Sequence, residues 1–188
     1  MKKLILITIV SLLYINSYSQ EKWFSSASVD FTVPNNIDYL YRFEGLSTTI
    51  SLDSKPSIGG QYSINYLVFK KLSVGALAGI QNQFGGGFVI FRVGGNLKYY
   101  FVDDDNVFAY VRYAGNLSFN KDKFKNGDNA RLGIGFPVLK TDKFNLNLNV
   151  YGDINSLNLE DAEPLIFGNE TPVSVLFKGF GISLGIKF

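Results

Sequence analysis

Apolar and polar residues alternate with a period of two through most of this 188-residue chain. Near its end, for example, Phe180, Ile182, Leu184, Ile186 and Phe188 are separated by glycine, serine and lysine. Successive side chains of a β-strand point to opposite faces, so such a segment predicts a strand with one apolar and one polar face. We predict eight strands: Trp23–Val33, Ser57–Tyr66, Leu72–Gln81, Phe88–Phe101, Val107–Phe119, Asn129–Leu139, Lys143–Asn155 and Ser174–Phe188.

The composition favours the same class of fold and argues against an enzyme. The chain has 17 Phe, 11 Tyr and 19 Gly, a bias that is typical of β-structure. It has no Cys, which excludes disulfides, thiolate metal sites and a lipid-modified cysteine. It also has no His, which removes the usual general base and the commonest metal ligand. We therefore expect no catalytic site, no cofactor and no metal.

The first residues have a pattern of their own. Lys2 and Lys3 precede the apolar run Leu4–Leu13, and a short polar stretch with small residues follows. This order is typical of a secretory signal peptide, and the run is too short for a spanning helix, which needs about 20 residues. We predict a cleaved signal peptide over residues 1–19 and one domain over residues 20–188.

The charge of the predicted domain gives no sign of a nucleic-acid partner. The chain has 18 Lys and Arg and 16 Asp and Glu, and two of the lysines fall in the predicted signal peptide. The rest of the chain is therefore neutral at pH 7, and it contains no basic tract. Nucleic-acid binding usually needs a clustered positive charge, so we do not expect it.

The connections between the predicted strands alternate between short and long. In an up-and-down barrel, successive connections lie at opposite ends, so all the short turns would meet at one end. Only a closed barrel leaves no strand edge unpaired in lipid. The pattern predicts an all-β fold, a single up-and-down antiparallel transmembrane β-barrel of about eight strands. The long loops are predicted at Pro34–Pro56, Asn82–Gly87, Asn120–Asp128 and Ser156–Val173.

Alternation alone does not say which face of the barrel is inside. A soluble, lipocalin-like barrel also alternates, with its apolar face inward, and a soluble periplasmic ligand-binding barrel is one alternative. Here the polar face is small and rich in Gly, Ser and Asn, which suits the narrow interior of eight strands. Aromatic residues on the apolar face also lie at strand ends, as in the interfacial girdles of membrane barrels. These residues are Tyr66, Tyr99, Phe101, Phe136, Phe144 and Phe188.

The last strand resembles the C-terminal assembly signal of bacterial outer-membrane barrels. Phe180, Ile182, Leu184 and Ile186 alternate up to a terminal Phe188. Over residues 20–188 the chain is similar in pattern to the small outer-membrane β-barrels of Gram-negative bacteria (porin-family, OmpA/OmpX-like barrels). The resemblance implies insertion by the barrel-assembly machinery, contact with outer-membrane lipid and a location in the outer membrane. It implies no single activity, and the strand order places both termini on the periplasmic side.

A set of polar residues falls on the inward face of the predicted strands. Arg131 and Asp153 lie at similar heights on adjacent strands, so we predict that they form an ion pair. The set could line a gate or a narrow polar path. We favour a satisfied network that plugs the barrel, because eight strands leave room only for side chains. The set consists of Asp30, Arg92, Lys98, Arg112, Arg131, Asn147 and Asp153.

The outer loops are where we expect any binding. Tyr39, Tyr41 and Phe43 in the first loop are candidates for a partner surface. Alternatively, these side chains rest on the barrel rim, or the strands simply continue beyond the membrane. The third loop is basic and the fourth is acidic, so the two could pair. The residues concerned are Lys121, Lys123 and Lys125 in the third loop and Glu160, Asp161, Glu163 and Glu170 in the fourth.

These observations predict a structural or interaction barrel that binds an envelope or extracellular protein through its loops. The alternative from a different functional class is a porin-like narrow channel for ions or small solutes. Bilayer conductance separates the two.

Overall fold

The computed structural model describes residues 22–84, 87–102, 106–120 and 122–188, so the predicted signal peptide lies outside the described residues. The described part of the chain contains no helix long and apolar enough to cross a membrane. Its strands are β1 (Trp23–Phe43), β2 (Leu46–Ser51), β3 (Ser57–Phe69), β4 (Leu72–Gln83), β5 (Phe88–Tyr100), β6 (Phe108–Ser118), β7 (Asn126–Lys140), β8 (Asn145–Asn158) and β9 (Thr171–Lys187).

Eight of these strands close into a barrel. β1 pairs with β3, each strand from β3 to β8 pairs with the next one, and β9 pairs back with β1. Every pairing is antiparallel. Closure removes free strand edges from the barrel wall, which is what a sheet in hydrocarbon requires. The predicted eight-stranded antiparallel barrel is confirmed.

The two ends of the barrel differ. The β3–β4, β5–β6 and β7–β8 connections lie at one end, which we call the turn end. The first and last described strands also meet there, since Ser25 and Phe188 exchange backbone hydrogen bonds of 2.8 and 2.9 Å. The β1–β2 hairpin and the β4–β5, β6–β7 and β8–β9 connections lie at the opposite end, the loop end.

The prediction that residues Pro34–Pro56 form a loop without strands is wrong, and the alternative that the strands continue is confirmed. β1 continues to Phe43, and β2 folds back along it as a ninth strand. A β-bulge between Pro34 and Asn36 shifts the register of β1 against β9. The additional residue exchanges the two faces of the strand, so inward positions change from even to odd numbers. The bulge therefore turns the next alternating segment of β1 toward the interior.

The wall of the barrel carries an apolar outer surface. A polar ion pair, Asp38–Lys178 at 3.2 Å, lies near the loop end of this belt. At the turn end an aromatic pair, Trp23 and Tyr66, has ring centroids 4.9 Å apart. An apolar belt between interfacial groups is the surface of a transmembrane barrel, whereas a soluble carrier has its apolar face inside. The exposed belt includes Val29, Phe31, Ile64, Val93, Leu97, Leu132, Val150, Ile182 and Leu184.

The predicted C-terminal assembly segment lies in β9, the strand that closes the barrel against β1, and ends one residue after it at Phe188. All five of its apolar side chains are exposed on the outer surface. Their exposure agrees with the predicted face of the strand, and the assembly role itself stays a prediction. The five residues are Phe180, Ile182, Leu184, Ile186 and Phe188.

Candidate functional site

Three layers of side chains fill the interior between the turn end and the loop end. The aromatic layer lies toward the turn end and consists of Phe24, Tyr100, Phe108, Tyr110 and Tyr151. The charged layer lies in the middle and consists of Asp30, Arg92, Arg112, Arg131 and Asp153. The apolar cap lies at the loop end and consists of Ile37, Tyr39, Tyr41, Phe88, Ile90, Phe124, Leu157, Leu159, Ala162, Val175 and Phe177.

Arg131 is the centre of the charged layer. Its Nε donates to Asp153 Oδ1 at 2.8 Å, and its Nη1 donates to Asp30 Oδ2 at 2.5 Å. Arg131 and Asp153 are register partners on β7 and β8, so the predicted pair is present. The side chain of Arg131 is 0% exposed. A buried guanidinium is tolerated in such a place because two carboxylates and their hydrogen bonds compensate it.

Aromatic packing fixes the position of this arginine. The guanidinium carbon of Arg131 lies 3.7 Å from the centroid of the Tyr151 ring. The Tyr151 hydroxyl is 2.8 Å from Thr32 Oγ1 across the barrel. An added Cβ at Gly181 would collide with the Tyr151 ring, so only glycine leaves room for the ring there. These contacts hold Arg131 across the lumen between β8 and β1.

The other two arginines of the charged layer have fewer partners. Arg112 Nη1 lies 3.7 Å from Asp30 Oδ2, and Arg92 Nε donates to Asn116 Oδ1 at 3.2 Å. The atoms Arg92 Nη2 and Arg112 Nε are buried without a hydrogen-bond partner. The charged layer contains three arginines and two aspartates, so positive charge exceeds negative charge there.

The remaining predicted lumen residues lie on the turn side of the ion pairs. Lys98 and Asn147 line a cavity of about 50 Å³ there. Lys98 Nζ lies 5.4 Å from the Phe24 ring centroid and 3.3 Å from Ser26 Oγ. Lys187 Nζ lies 4.5 Å from the same ring. The structure thus places all seven predicted lumen residues in the interior, but distributes them over two levels.

The apolar cap corrects the prediction for the first loop. Tyr39 is 0% exposed and Tyr41 is 7% exposed, so neither offers a partner surface. The bulge at Pro34–Asn36 turns both rings inward, where they stack with centroids 5.3 Å apart. Phe43 is 37% exposed at the tip of the hairpin and stays a candidate. Sequence reasoning missed the cap, although Ile37, Tyr39 and Tyr41 continue the period of two.

Glu170 holds the β8–β9 connection over the cap. Its carboxylate accepts the N–H of Ile166 at 2.7 Å and the N–H of Phe167 at 2.9 Å. Burial alone would raise the pKa of Glu170, but these backbone donors lower it below its usual value. Tyr39 Oη lies 3.4 Å from the same carboxylate. Desolvation and the negative charge of Glu170 raise the pKa of Tyr39 to about 12.

Ion pairs join the third and fourth loops, as the sequence predicts. Lys123 Nζ lies 3.1 Å from Glu163 Oε2, and Lys125 Nζ lies 2.8 Å from Asp161 Oδ2 and 3.3 Å from Glu160 Oε2. Lys121 lies outside the described residues, and Glu170 has the separate role given above. In the part of the chain that the structure describes, no cluster of three or more acidic residues could hold a metal ion.

The barrel is similar in fold to solved outer-membrane proteins. Outer membrane protein AlkL in lipid bilayers is 14% identical, with 92% of this chain and 91% of that chain covered and a TM-score of 0.49. OprG from Pseudomonas aeruginosa is 16% identical over 89% and 95% of the two chains, with a TM-score of 0.45. Neisserial surface protein A is 12% identical over 86% and 96%, also with a TM-score of 0.45.

Neither a protein-family model nor a curated protein matches the chain. At 12–16% identity, the likeness to solved structures concerns the fold and carries no activity over to this chain.

Proposed function

We propose that this protein is an integral outer-membrane β-barrel with a structural or interaction role and no solute channel. It presents its loop end to the outside of the cell and keeps both termini in the periplasm. Short turns on the periplasmic side and longer loops outside are the usual arrangement in outer-membrane barrels. The absence of His and Cys from the sequence supports a role without catalysis.

The closed interior is the observation that carries this proposal. A solute entering from the loop end meets the apolar cap, whose members Tyr39, Leu157, Leu159 and Val175 are fully buried. Beyond the cap it meets Arg131, which bridges Asp30 and Asp153 across the lumen. Opening a path would break a buried ion-pair network and expose an apolar core, and both changes are costly.

Exposed apolar side chains at the loop end supply a candidate partner surface, which we call the tip patch. It consists of Phe43, Leu46, Ile166 and Phe167, all of which are exposed. Phe43 and Leu46 pair across the β1–β2 hairpin. The Phe167 ring lies 6.1 Å from the Tyr41 ring, which places the fourth loop beside the hairpin. Exposed apolar groups beyond the lipid belt favour contact with a protein.

Planar-bilayer recording of the purified barrel tests the closed interior. We expect no steady unitary current from the wild type, because neither the cap nor the charged layer leaves an aqueous path. Arg131→Ala and Arg92→Ala serve as comparison variants. Steady wild-type currents whose size changes in these two variants would establish a narrow channel and overturn the proposal.

Purification from native membranes in mild detergent tests the tip patch. We expect an envelope or extracellular protein to co-purify with the wild type and to be lost with the double variant Phe43→Ser and Leu46→Ser. Val102→Ser is the matched control, since Val102 is equally apolar and exposed but lies at the turn end. A co-purifying protein that both variants retain would exclude the tip patch as its binding surface.

A further inference from the structure

We propose that the cavity on the turn side of the charged layer is a binding site for a halide-sized anion such as chloride. This turn-side cavity has a volume of about 50 Å³, and Lys98, Arg112, Asn96, Asn147, Ser26 and Ser63 are among the residues that line it. The proposed function does not depend on this site, because an anion held there leaves the apolar cap and Arg131 in place.

An excess of positive charge is the first reason for this proposal. Around the charged layer and the turn-side cavity, the inward strand positions that the structure describes carry four basic side chains and two acidic ones. Both acidic groups, Asp30 and Asp153, are bound to Arg131. Inside a lipid-embedded wall, an uncompensated charge is expensive unless a counter-ion accompanies it. The four basic residues are Arg92, Lys98, Arg112 and Arg131.

The arrangement of hydrogen-bond donors is the second reason. The Lys98 ammonium and the Arg112 guanidinium both line the turn-side cavity. Arg112 Nε is buried without a hydrogen-bond partner, and Arg112 shares the Asp30 carboxylate, 3.7 Å from its Nη1, with Arg131. The amides of Asn96 and Asn147 and the hydroxyls of Ser26 and Ser63 can add neutral donors. A cavity with many donors and two cations favours an anion over water alone.

The size of the cavity limits the ligand. By the same measure, one water molecule needs roughly 10–15 Å³. About 50 Å³ therefore accommodates a halide ion with a few waters, and it is too small for a sugar or a nucleotide. A single small monovalent anion fits both the volume and the charge.

The turn end gives the anion a route to the site. A second cavity of about 20 Å³ shares Ser26, Lys98, Phe108 and Asn147 with the first one. It continues toward Lys187 and Asn145, which lie at the ends of β9 and β8 nearest the turns. The second cavity therefore connects the site to the turn end, and the anion enters from the side opposite the apolar cap.

Anion-dependent unfolding tests the site. The barrel is purified in detergent in gluconate, an anion too large for the cavity, and unfolded with urea at constant ionic strength while chloride replaces gluconate. Once the site fills, we expect the ratio of folded to unfolded protein to rise by up to about tenfold for each tenfold increase in chloride. In Lys98→Met this dependence should be lost. Lys178→Met, the same change on the outer surface, should keep it.

Diffraction from crystals of the wild-type protein grown in bromide is an independent test. It shows whether an anion binds in the cavity even if Lys98→Met does not fold. We expect one anomalous peak within contact distance of Lys98 Nζ and the Arg112 guanidinium. The absence of this peak would overturn the proposal. A chloride dependence of equal size in the wild type and in Lys98→Met would also overturn it.

Discussion

Ser183 and Leu184 are neighbours in β9, but their surroundings have little in common. Leu184 is 51% exposed on the outer surface, and Ser183 is 3% exposed in the interior. The outer surface needs only apolar side chains, because lipid adapts to their shapes. The interior has a fixed volume, so its side chains must fit one another and satisfy their polar groups. The residues on the outer face of each strand are thus determined by the surrounding lipid. Those on the inner face are determined by the side chains that they contact.

The interior is also less uniform than the outer surface. Toward the loop end it is an apolar core of the kind found in soluble proteins, and Leu159 is one of its fully buried members. In the middle it depends on Arg131 and two aspartates. The outer surface stays apolar along the membrane-spanning part of the same strands. Substitutions inside should therefore change the unfolding free energy by amounts that depend on depth and on the chemistry of the side chain.

Removal of the central arginine should have the largest effect. Arg131→Met leaves Asp30 and Asp153 buried without their shared partner, which should cost about 3–5 kcal/mol of unfolding free energy. Urea unfolding in lipid vesicles measures it. The matched control is Lys178→Met, which breaks a partly exposed ion pair and should cost no more than about 1 kcal/mol. Equal losses in the two variants would show that the charged layer has no special role.

Truncation of a side chain in the apolar cap should lower the unfolding free energy slightly less, and it should loosen only the loop end. Leu159→Ala opens a cavity at a fully buried site, so we expect a loss of about 2–5 kcal/mol. Hydrogen exchange should quicken at the loop end and stay slow in the charged layer. Leu132→Ala on the outer surface is the control: lipid fills the space, so no cavity opens, and hydrogen exchange at the loop end should stay as in the wild type. Faster exchange throughout the barrel would mean that cap and wall unfold together.

Protonation of Glu170 should loosen the fourth loop. The folded-state pKa of this carboxyl is below its ordinary value of 4.5, so its stabilising effect is complete above that value and is lost as the pH falls further. Loss of its hydrogen bonds should cost about 1–3 kcal/mol of local stability. Cleavage of the β8–β9 connection by an acid-stable protease should increase below pH 4.5 in the wild type. In Glu170→Gln it should be independent of pH, and a persisting pH dependence would implicate another group.

The exposed loop pairs should have the smallest effect. Lys125→Ala removes two ion pairs between the third and fourth loops. These pairs are exposed to water and therefore contribute little to stability. We expect no measurable change in the urea midpoint and a small increase in loop cleavage at low salt. A large loss of stability would show that these loops brace the barrel.

The outer surface and the strand order could be predicted from the sequence, because alternation reports directly on a two-sided wall. The same pattern predicted that Arg131 and Asp153 point inward. Their similar heights on adjacent strands follow from the number of residues between each of them and the end of its strand. The short turns could also be predicted, because short and long connections alternate along the chain. These features depend on local periodicity alone.

The apolar cap could not be predicted by the same reasoning, because it depends on the bulge at Pro34–Asn36. Proline followed by two asparagines is typical of a loop, and the prediction ended the strand there. The alternation of Ile37, Tyr39 and Tyr41 was the available signal, but one additional residue reverses which face is inside. The role of Glu170 depends on backbone N–H groups four and three residues away in a folded loop, and residue type does not reveal these contacts.

Arginine substitution at two depths of the outer surface tests most directly whether the alternating strands form a lipid-facing wall. Leu184 lies in the middle of the belt, and Tyr99 lies at its turn-end border. In lipid vesicles, Leu184→Arg should cost about 2–4 kcal/mol of unfolding free energy, and Tyr99→Arg should cost about 0–1 kcal/mol. Inward Ser183→Arg should destabilise by crowding, with no relation to membrane depth. Equal costs for Leu184→Arg and Tyr99→Arg would contradict the lipid-facing assignment.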